Sequence, residues 1–253
     1  MSDESVSTTS VPPVASSDWA YFLDVDGTLI ELAASPDAVT VNDSLLGLIA
    51  RLHGACRGAV AIVSGRSLRD LQRLIGAVAL PMAGLHGVQR VGIEGRVSLH
   101  GSPATAIQEA RRVLAAEIRE HPGLVLEDKE FTLALHYRQA PQLALKAQEL
   151  MSCVLREYLP TFELQPGKFV FELKPAGVDK GSAILHFLEE APFRNRRPVF
   201  IGDDASDEKG FEAVNKFDGV TIKVGKGQTS ARYRLDSVAK VRNWLTSAVE
   251  YPT

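Results

Sequence analysis

The chain uses one pattern at three places: a short, wholly apolar run that stops abruptly at a polar cluster containing glycine. Trp19-Ala20-Tyr21-Phe22-Leu23 ends at Asp24-Val25-Asp26-Gly27-Thr28, Ala59-Val60-Ala61-Ile62-Val63 at Ser64-Gly65-Arg66, and Pro198-Val199-Phe200-Ile201 at Gly202-Asp203-Asp204. Runs this short and this apolar read as strands covered on both faces, the usual setting of a parallel sheet. Between the first two, Leu45, Leu46, Leu48, Ile49 and Leu52 form a helical stripe with Asn42 available as its N-cap, and a further helix is expected from about Ser67 to Leu74. Strands alternating with helices predict an α/β fold, a doubly wound Rossmann-like parallel sheet, whose ligands bind beyond the carboxyl ends of the strands.

The middle third has a different texture. Helical stretches from about Ala104 to Glu120 and Pro141 to Tyr158 are interleaved with the alternating runs Phe131–Arg138 and Phe169–Lys174, which mark strands with one covered face. The expected organisation is a core made of residues 19–100 and 176–253, with an inserted α+β cap, residues 101–175, folded over the strand ends. Gly101-Ser102-Pro103 and Pro175-Ala176-Gly177 are the expected hinges. Residues 1–18 are rich in Ser, Thr and Pro and lack both a basic start and an apolar stretch, so a disordered leader is expected there rather than a signal peptide.

Bulk properties exclude several classes of function. A net charge of −3 gives no basic surface for nucleic acid, and no run approaches the roughly 20 apolar residues that span a bilayer. The two cysteines, Cys56 and Cys153, lie far apart without the spacing of a zinc or redox site, which fits a cytoplasmic setting. A monomer is the expected state.

Asp24 and Asp26 are two residues apart, and the period of a strand turns both to one side where the strand opens into a loop. Gly27 then admits backbone conformations closed to other residues. Taken alone, this pair also fits a solvated turn. Ser64-Gly65 equally fits a plain turn, Lys180 a surface lysine near a helix start, and the acidic run Asp203 to Glu208 a solvated helix N-terminus. All follow strand or loop positions that suit one pocket.

The order Asp-x-Asp-Gly-Thr, Ser, Lys, Gly-Asp-Asp-x-x-Asp resembles the four motifs of the haloacid dehalogenase superfamily of phosphotransferases. That resemblance implies Asp24 as the nucleophile that takes the phosphoryl group and Asp26 as general acid and base, so that one difficult displacement becomes two easier ones. It also implies Mg²⁺ held by Asp24, the main-chain carbonyl of Asp26, and Asp203, with Asp204 and Asp207 supporting the shell. Ser64 would hydrogen-bond a phosphate oxygen, and Lys180 would neutralise the charge of phosphate and nucleophile.

The likeness narrows along nearly the whole chain after residue 18. Leu23-Asp24-Val25-Asp26-Gly27-Thr28-Leu29, Ser64-Gly65-Arg66, Gly84-Leu85-His86-Gly87, Ala134-Leu135-His136-Tyr137-Arg138, Gly167-Lys168-Phe169-Val170-Phe171-Glu172 and Asp179-Lys180-Gly181 are similar to the trehalose-6-phosphate phosphatases. The implied substrate is a phosphorylated disaccharide, with Glu127, Lys129, Arg138, Lys168 and Glu172 of the cap meeting its hydroxyls and phosphate. Lys129 and Lys168 could instead be solvated charges at strand ends. His86 either lines the site or is a satisfied histidine in a turn, and Arg66 either fixes the phosphate loop with Gly65 or pairs with an acidic neighbour. Rival readings are a phosphatase of another sugar phosphate and a non-enzymatic phosphosugar-binding regulator.

Overall fold

The structure is a computed structural model that describes residues 11–32, 39–101, 104–158 and 161–250. It divides into two compact units, one built from the chain up to Val97 together with Asp179 onward, the other from Ser98–Val178.

The larger unit is organised around a sheet. Its strands are β1 (Ala20–Leu23), β2 (Val60–Val63), β3 (Met82–Gly84), β4 (Gln89–Val91) and β5 (Val97–Leu99), of which only Val97 belongs to this unit, followed after the second unit by β10 (Pro198–Gly202), β11 (Val220–Val224) and β12 (Tyr233–Leu235). The order across this eight-stranded sheet is β12-β11-β10-β1-β2-β3-β4-β5. All neighbouring pairs from β12 to β3 are parallel, and β4 turns back antiparallel on β3. The helices are α1 (Asp43–Ala55), α2 (Leu68–Ile75), α5 (Lys180–Leu188), α6 (Glu208–Asn215) and α7 (Val238–Glu250).

Both faces of the sheet are covered, as the apolar runs require. Successive side chains on a strand point to opposite faces. Tyr21 accordingly meets Trp244 of α7, whereas Phe22 stacks on Phe187 of α5 and on Phe193. The cap of α1 is the expected one, since the Asn42 side chain accepts from the Leu45 N–H at 3.0 Å. Ser67 does the same for α2 by accepting from Asp70 N–H at 3.1 Å.

The chain leaves β1 for β2 on one side and returns to β10 on the other, so β1 and β10 straddle the point where strand order reverses. In such sheets that crevice is where ligands sit. Asp24 and Asp203 stand just beyond these two neighbouring strands, whose register pairs Leu23 with Ile201.

The smaller unit contains α3 (Ala104–Glu117), α4 (Ala144–Tyr158) and a second sheet of β6 (Val125–Asp128), β7 (Leu133–His136), β8 (Phe162–Gly167) and β9 (Val170–Pro175). The four strands run antiparallel in the order β6-β7-β9-β8. Leu133, Leu135, Phe162 and Leu173 point to one face and pack with Ile107, Leu114, Ala147, Met151 and Val154 of the helices. Alternation places Glu127, Ala134, His136, Glu172 and Gln165 on the other face.

The expected leader needs correction over its second half. Residues 11–18 lie on the larger unit: the Trp244 indole donates to the Pro13 carbonyl at 2.8 Å, Tyr21 hydroxyl to the Ser16 carbonyl at 2.8 Å, and Ala15 is buried. The half-buried indole and the buried tyrosine hydroxyl need acceptors, and this segment supplies them. The first ten residues of the expected leader, and Ser102 and Pro103 of one expected hinge, lie outside the described residues.

Candidate active site

Four strand and helix termini converge at the carboxyl end of the larger sheet. Asp24 follows β1, Ser64 follows β2, Asp203 follows β10, and Lys180 opens α5. The start of α5 is fixed by a reciprocal cap: Asp179 accepts from Ser182 N–H at 2.7 Å, and Ser182 hydroxyl accepts from Asp179 N–H at 3.0 Å. Lys180 is thereby set in place as the first helical residue, with its side chain only 3% exposed.

Its ammonium bridges two carboxylates, donating to Asp24 Oδ1 at 2.8 Å and to Asp207 Oδ1 at 2.6 Å. The other Asp207 oxygen accepts from the main-chain N–H groups of Asp203 and Asp204, each at 2.9 Å. Asp207 is therefore fully committed: it holds Lys180 on one side and shapes the loop after β10 on the other. Asp204 caps the same loop by accepting from Ala205 N–H at 2.7 Å.

Carboxylate oxygens of Asp24, Asp203 and Asp207 lie within 4.8 Å of one another. Burial is the main reason that Asp24 is pushed well above the ordinary carboxylate range, with Asp207 and Asp203 adding repulsion that Lys180 only partly offsets. Asp203 is pushed up to about 7, again mainly by burial and then by Asp207 and Asp204. Burial would lower Lys180, but its two carboxylates outweigh it and hold the ammonium charged. The cluster has more negative charge than Lys180 neutralises. A divalent cation with oxygen ligands fits that donor set.

Gly27 has a specific reason to be glycine. Its φ is +74°, and a Cβ there would lie 2.1 Å from Asp203 Oδ2. The turn after Asp26 closes by Gly27 N–H donating to the Ile30 carbonyl at 2.8 Å, while the Thr28 hydroxyl donates to Asp24 Oδ2 at 3.4 Å.

The second loop is stitched to a turn after β3. Ser64 is buried, and its hydroxyl accepts from Arg66 N–H at 3.2 Å. His86 N–H donates to the Ser64 carbonyl and Leu85 N–H to the Arg66 carbonyl, with both Leu85 and His86 at positive φ. The His86 ring is buried against Gly65, where a Cβ would meet it at 2.7 Å. Arg66 reaches Asp26 with Nε and Nη2 at 2.6 and 2.7 Å, so of the two readings of this arginine the acidic pairing is the one observed.

In the smaller unit, register explains what brings three expected residues together. Glu127 pairs with Ala134, and Ala134 with Glu172, which sets the two glutamates in one row across β6, β7 and β9. Lys129 lies between them, its ammonium 3.9 Å from Glu127 and 3.6 Å from Glu172. Two residues not assigned a ligand contact from sequence complete the group: His136, inside the Ala134–Arg138 motif, pairs through Nε2 with Glu127 at 2.8 Å, and Thr132 hydroxyl donates to Glu172 at 2.7 Å. Burial opposes ionisation of Glu127, but His136 and then Lys129 outweigh it and draw its carboxyl below the usual range. Arg138 and Lys168 stand outside this group. Arg138 is exposed with its guanidinium 5.4 Å over the Phe169 ring, and Lys168 is exposed in the turn between β8 and β9.

A family model described as trehalose-phosphatase matches residues 22–239, which span every one of these positions. The chain belongs to the trehalose-phosphatase family. Among its relatives, the trehalose-6-phosphate phosphatase of Escherichia coli (strain K12) is 42% identical over 233 residues, covering 92% of this chain and 87% of that protein. A probable trehalose-phosphate phosphatase of Sinorhizobium fredii is 41% identical over 209 residues, covering 82% of this chain and 78% of its own. Among solved structures, a trehalose-6-phosphate phosphatase related protein superposes with a TM-score of 0.77 at 28% identity, covering 91% of this chain and 97% of that one. A further solved structure, a phosphatase of the haloalkanoate (HAD) enzyme superfamily from Bacteroides thetaiotaomicron, shares the fold with a TM-score of 0.63 over 96% of this chain and 100% of that one at 18% identity.

Proposed function

We propose that this trehalose-phosphatase hydrolyses trehalose 6-phosphate to trehalose and inorganic phosphate through an aspartyl-phosphate on Asp24. The observation that carries the chemistry is the Lys180 bridge between Asp24 and Asp207, which fixes a buried carboxylate beyond β1 beside the carboxylate beyond β10. The name of the Escherichia coli relative supports the substrate.

In the first step an Asp24 oxygen bonds to phosphorus as the bond from phosphorus to the sugar oxygen breaks, and Asp26 gives a proton to that oxygen. Water then loses a proton to Asp26 and attacks phosphorus, releasing phosphate and restoring the Asp24 carboxylate. Lys180 offsets charge on nucleophile and phosphate, and the Ser64 hydroxyl hydrogen-bonds a phosphate oxygen. Arg66 takes one lone pair on each Asp26 oxygen, which orients the carboxyl group and leaves the remaining lone pairs to carry the transferred proton. Mg²⁺ would be held by Asp24, the Asp26 carbonyl and Asp203, with Asp204 and Asp207 bracing the loop. When bound, the ion supplies positive charge against the transferring phosphoryl group.

Residues 101–175 serve in this reading as the specificity domain. Glu127, Lys129 and Glu172 form a preorganised row of charges that suits a ligand rich in hydroxyls, and Arg138 and Lys168, outside that row, add exposed cations to the same unit. Such a site rejects analogues that leave its polar groups unpaired.

Release of phosphate from a panel of phosphosugars tests the assignment. Trehalose 6-phosphate is expected to exceed sucrose 6-phosphate and mannosyl-3-phosphoglycerate by about a hundredfold or more in kcat/KM. Comparable rates across the panel would remove the substrate claim.

A further inference from the structure

Lys223 is a charged residue in an otherwise apolar strand, Val220-Thr221-Ile222-Lys223-Val224, and every residue of that strand is buried. Lys223 itself is 4% exposed. An ammonium taken out of water is costly unless something there needs its charge. Among the described residues it forms no ion pair with a carboxylate; its partner is the main-chain carbonyl of Asp203, to which Nζ donates. Register explains the reach, because Gly202 of β10 pairs with Lys223 of β11, which brings the lysine alongside the residue before Asp203.

That bond completes a clamp. The peptide group between Asp203 and Asp204 has its N–H held by Asp207 Oδ2 at 2.9 Å and its carbonyl held by Lys223. The peptide before it has its N–H held by the same Asp207 oxygen, also at 2.9 Å. Both peptide planes that flank Asp203 are therefore fixed, and with them the direction in which its Cα–Cβ bond leaves the backbone. The side chain so aimed lies against Gly27, where no Cβ intrudes.

We propose that Lys223 is a positioning residue for the divalent-cation site: through the Asp203 carbonyl it holds the Asp203 carboxylate in the geometry that receives the ion. The proposal rests on Asp203 being a Mg²⁺ ligand. It assigns Lys223 no contact with substrate. Groups that brace a ligand in this way typically change metal affinity 10–100-fold when removed.

Charge and position predict opposite results for Lys223→Met, which makes the proposal sharp. If the lysine merely added positive charge near the cluster, its loss would tighten Mg²⁺. If it positions Asp203, its loss weakens Mg²⁺.

The test is isothermal titration of Mg²⁺ into the substrate-free parent protein and into Lys223→Met, Lys223→Arg and Asp203→Asn, with thermal unfolding in EDTA as the control for folding. Expected is a Kd about tenfold or more weaker in Lys223→Met, substantial recovery in Lys223→Arg, and loss of binding in Asp203→Asn. The Mg²⁺ concentration for half-maximal phosphate release should rise by a similar factor, while kcat at saturating Mg²⁺ stays within about threefold. Mg²⁺ binding by Lys223→Met that equals or exceeds that of a binding parent overturns the positioning role. Absence of binding in the parent overturns the metal reading beneath it, which separates the two failures. Should Lys223→Met not fold, Lys223→Gln, whose uncharged amide ends one atom short of the ammonium and so loses the Asp203 carbonyl, replaces it. Weakened binding there supports the clamp and unchanged or tighter binding overturns it.

Discussion

Arg66 and Asp26 are 40 positions apart in the chain and meet in a two-point ion pair, Nε on Oδ2 at 2.6 Å and Nη2 on Oδ1 at 2.7 Å. The guanidinium is 9% exposed and the carboxylate 30%, so the pair is only partly screened by water. Burial opposes the charge on Arg66, but the hydrogen-bonded Asp26 outweighs it and pushes the guanidinium further toward its charged form. The residue proposed to carry the proton is thus oriented by the loop that follows β2. Replacing Arg66 by Met should lower kcat by roughly 10–100-fold through misplacement of Asp26, with KM changed much less. Steady-state kinetics with p-nitrophenyl phosphate checks this, and a loss confined to KM would assign Arg66 to substrate binding instead.

Gly27→Ala should be more damaging than its size suggests. It adds a Cβ at φ +74° and drives it to within 2.1 Å of Asp203 Oδ2. The backbone strain costs about 1 kcal/mol or more, and relieving the clash moves Asp203 out of place. Expected are a lowered Tm and a weaker thermal stabilisation by Mg²⁺. A variant with parental Tm and parental response to Mg²⁺ would show that the two loops do not constrain each other.

The acidic cluster makes stability depend on pH in an unusual sense. Asp203 is pushed up to about 7, so between about pH 4 and 7 the folded protein holds a proton that the unfolded chain has lost. Stability from this group is present at the lower pH and is lost as pH rises through that window, and Asp24, also raised, acts in the same direction. Glu127, drawn down, acts oppositely but only as pH falls below the ordinary glutamate range. Metal-free protein in EDTA should therefore lose stability from pH 5 to pH 8, Mg²⁺ should raise Tm more at pH 8 than at pH 5, and Asp203→Asn should flatten both trends. Urea denaturation in EDTA decides it, and stability that climbs over this range would contradict the account of the cluster.

Glu172 separates substrate recognition from phosphoryl transfer. It is buried, accepts from Thr132, and lies 3.6 Å from Lys129. Glu172→Gln should reduce kcat/KM for trehalose 6-phosphate by roughly 10²–10³-fold while leaving p-nitrophenyl phosphate within about threefold. Equal losses on both substrates would move Glu172 from recognition to support of the fold or the chemistry.

What sequence could and could not reveal has physical causes. β1, β2 and β10 were legible because strands covered on both faces read as unbroken apolar runs, and α1 because Asn42 caps a clear stripe. β3, β4, β5 and β12 are three residues each, too short to show a period. Their strand state comes from neighbours in the sheet. Asp24, Lys180 and Asp203 could be gathered by motif, but the bond from Arg66 to Asp26 depends on how two loops face each other, which no local pattern encodes. Lys223 left a trace, a charge inside an apolar strand, yet its partner is a backbone carbonyl and so invisible in side-chain identities. Residues 11–18 read as unstructured because what orders them is acceptor carbonyls for Trp244 and Tyr21, which any sequence can offer.

The central claim is that Asp24 forms the covalent bond to phosphorus. Phosphate release from trehalose 6-phosphate in saturating Mg²⁺, compared between the parent and Asp24→Asn, tests it most directly. The account predicts rapid release by the parent and release at the uncatalysed background by the variant, which keeps shape but lacks the nucleophilic carboxylate. Retention of more than a few per cent of parental activity by Asp24→Asn would contradict it.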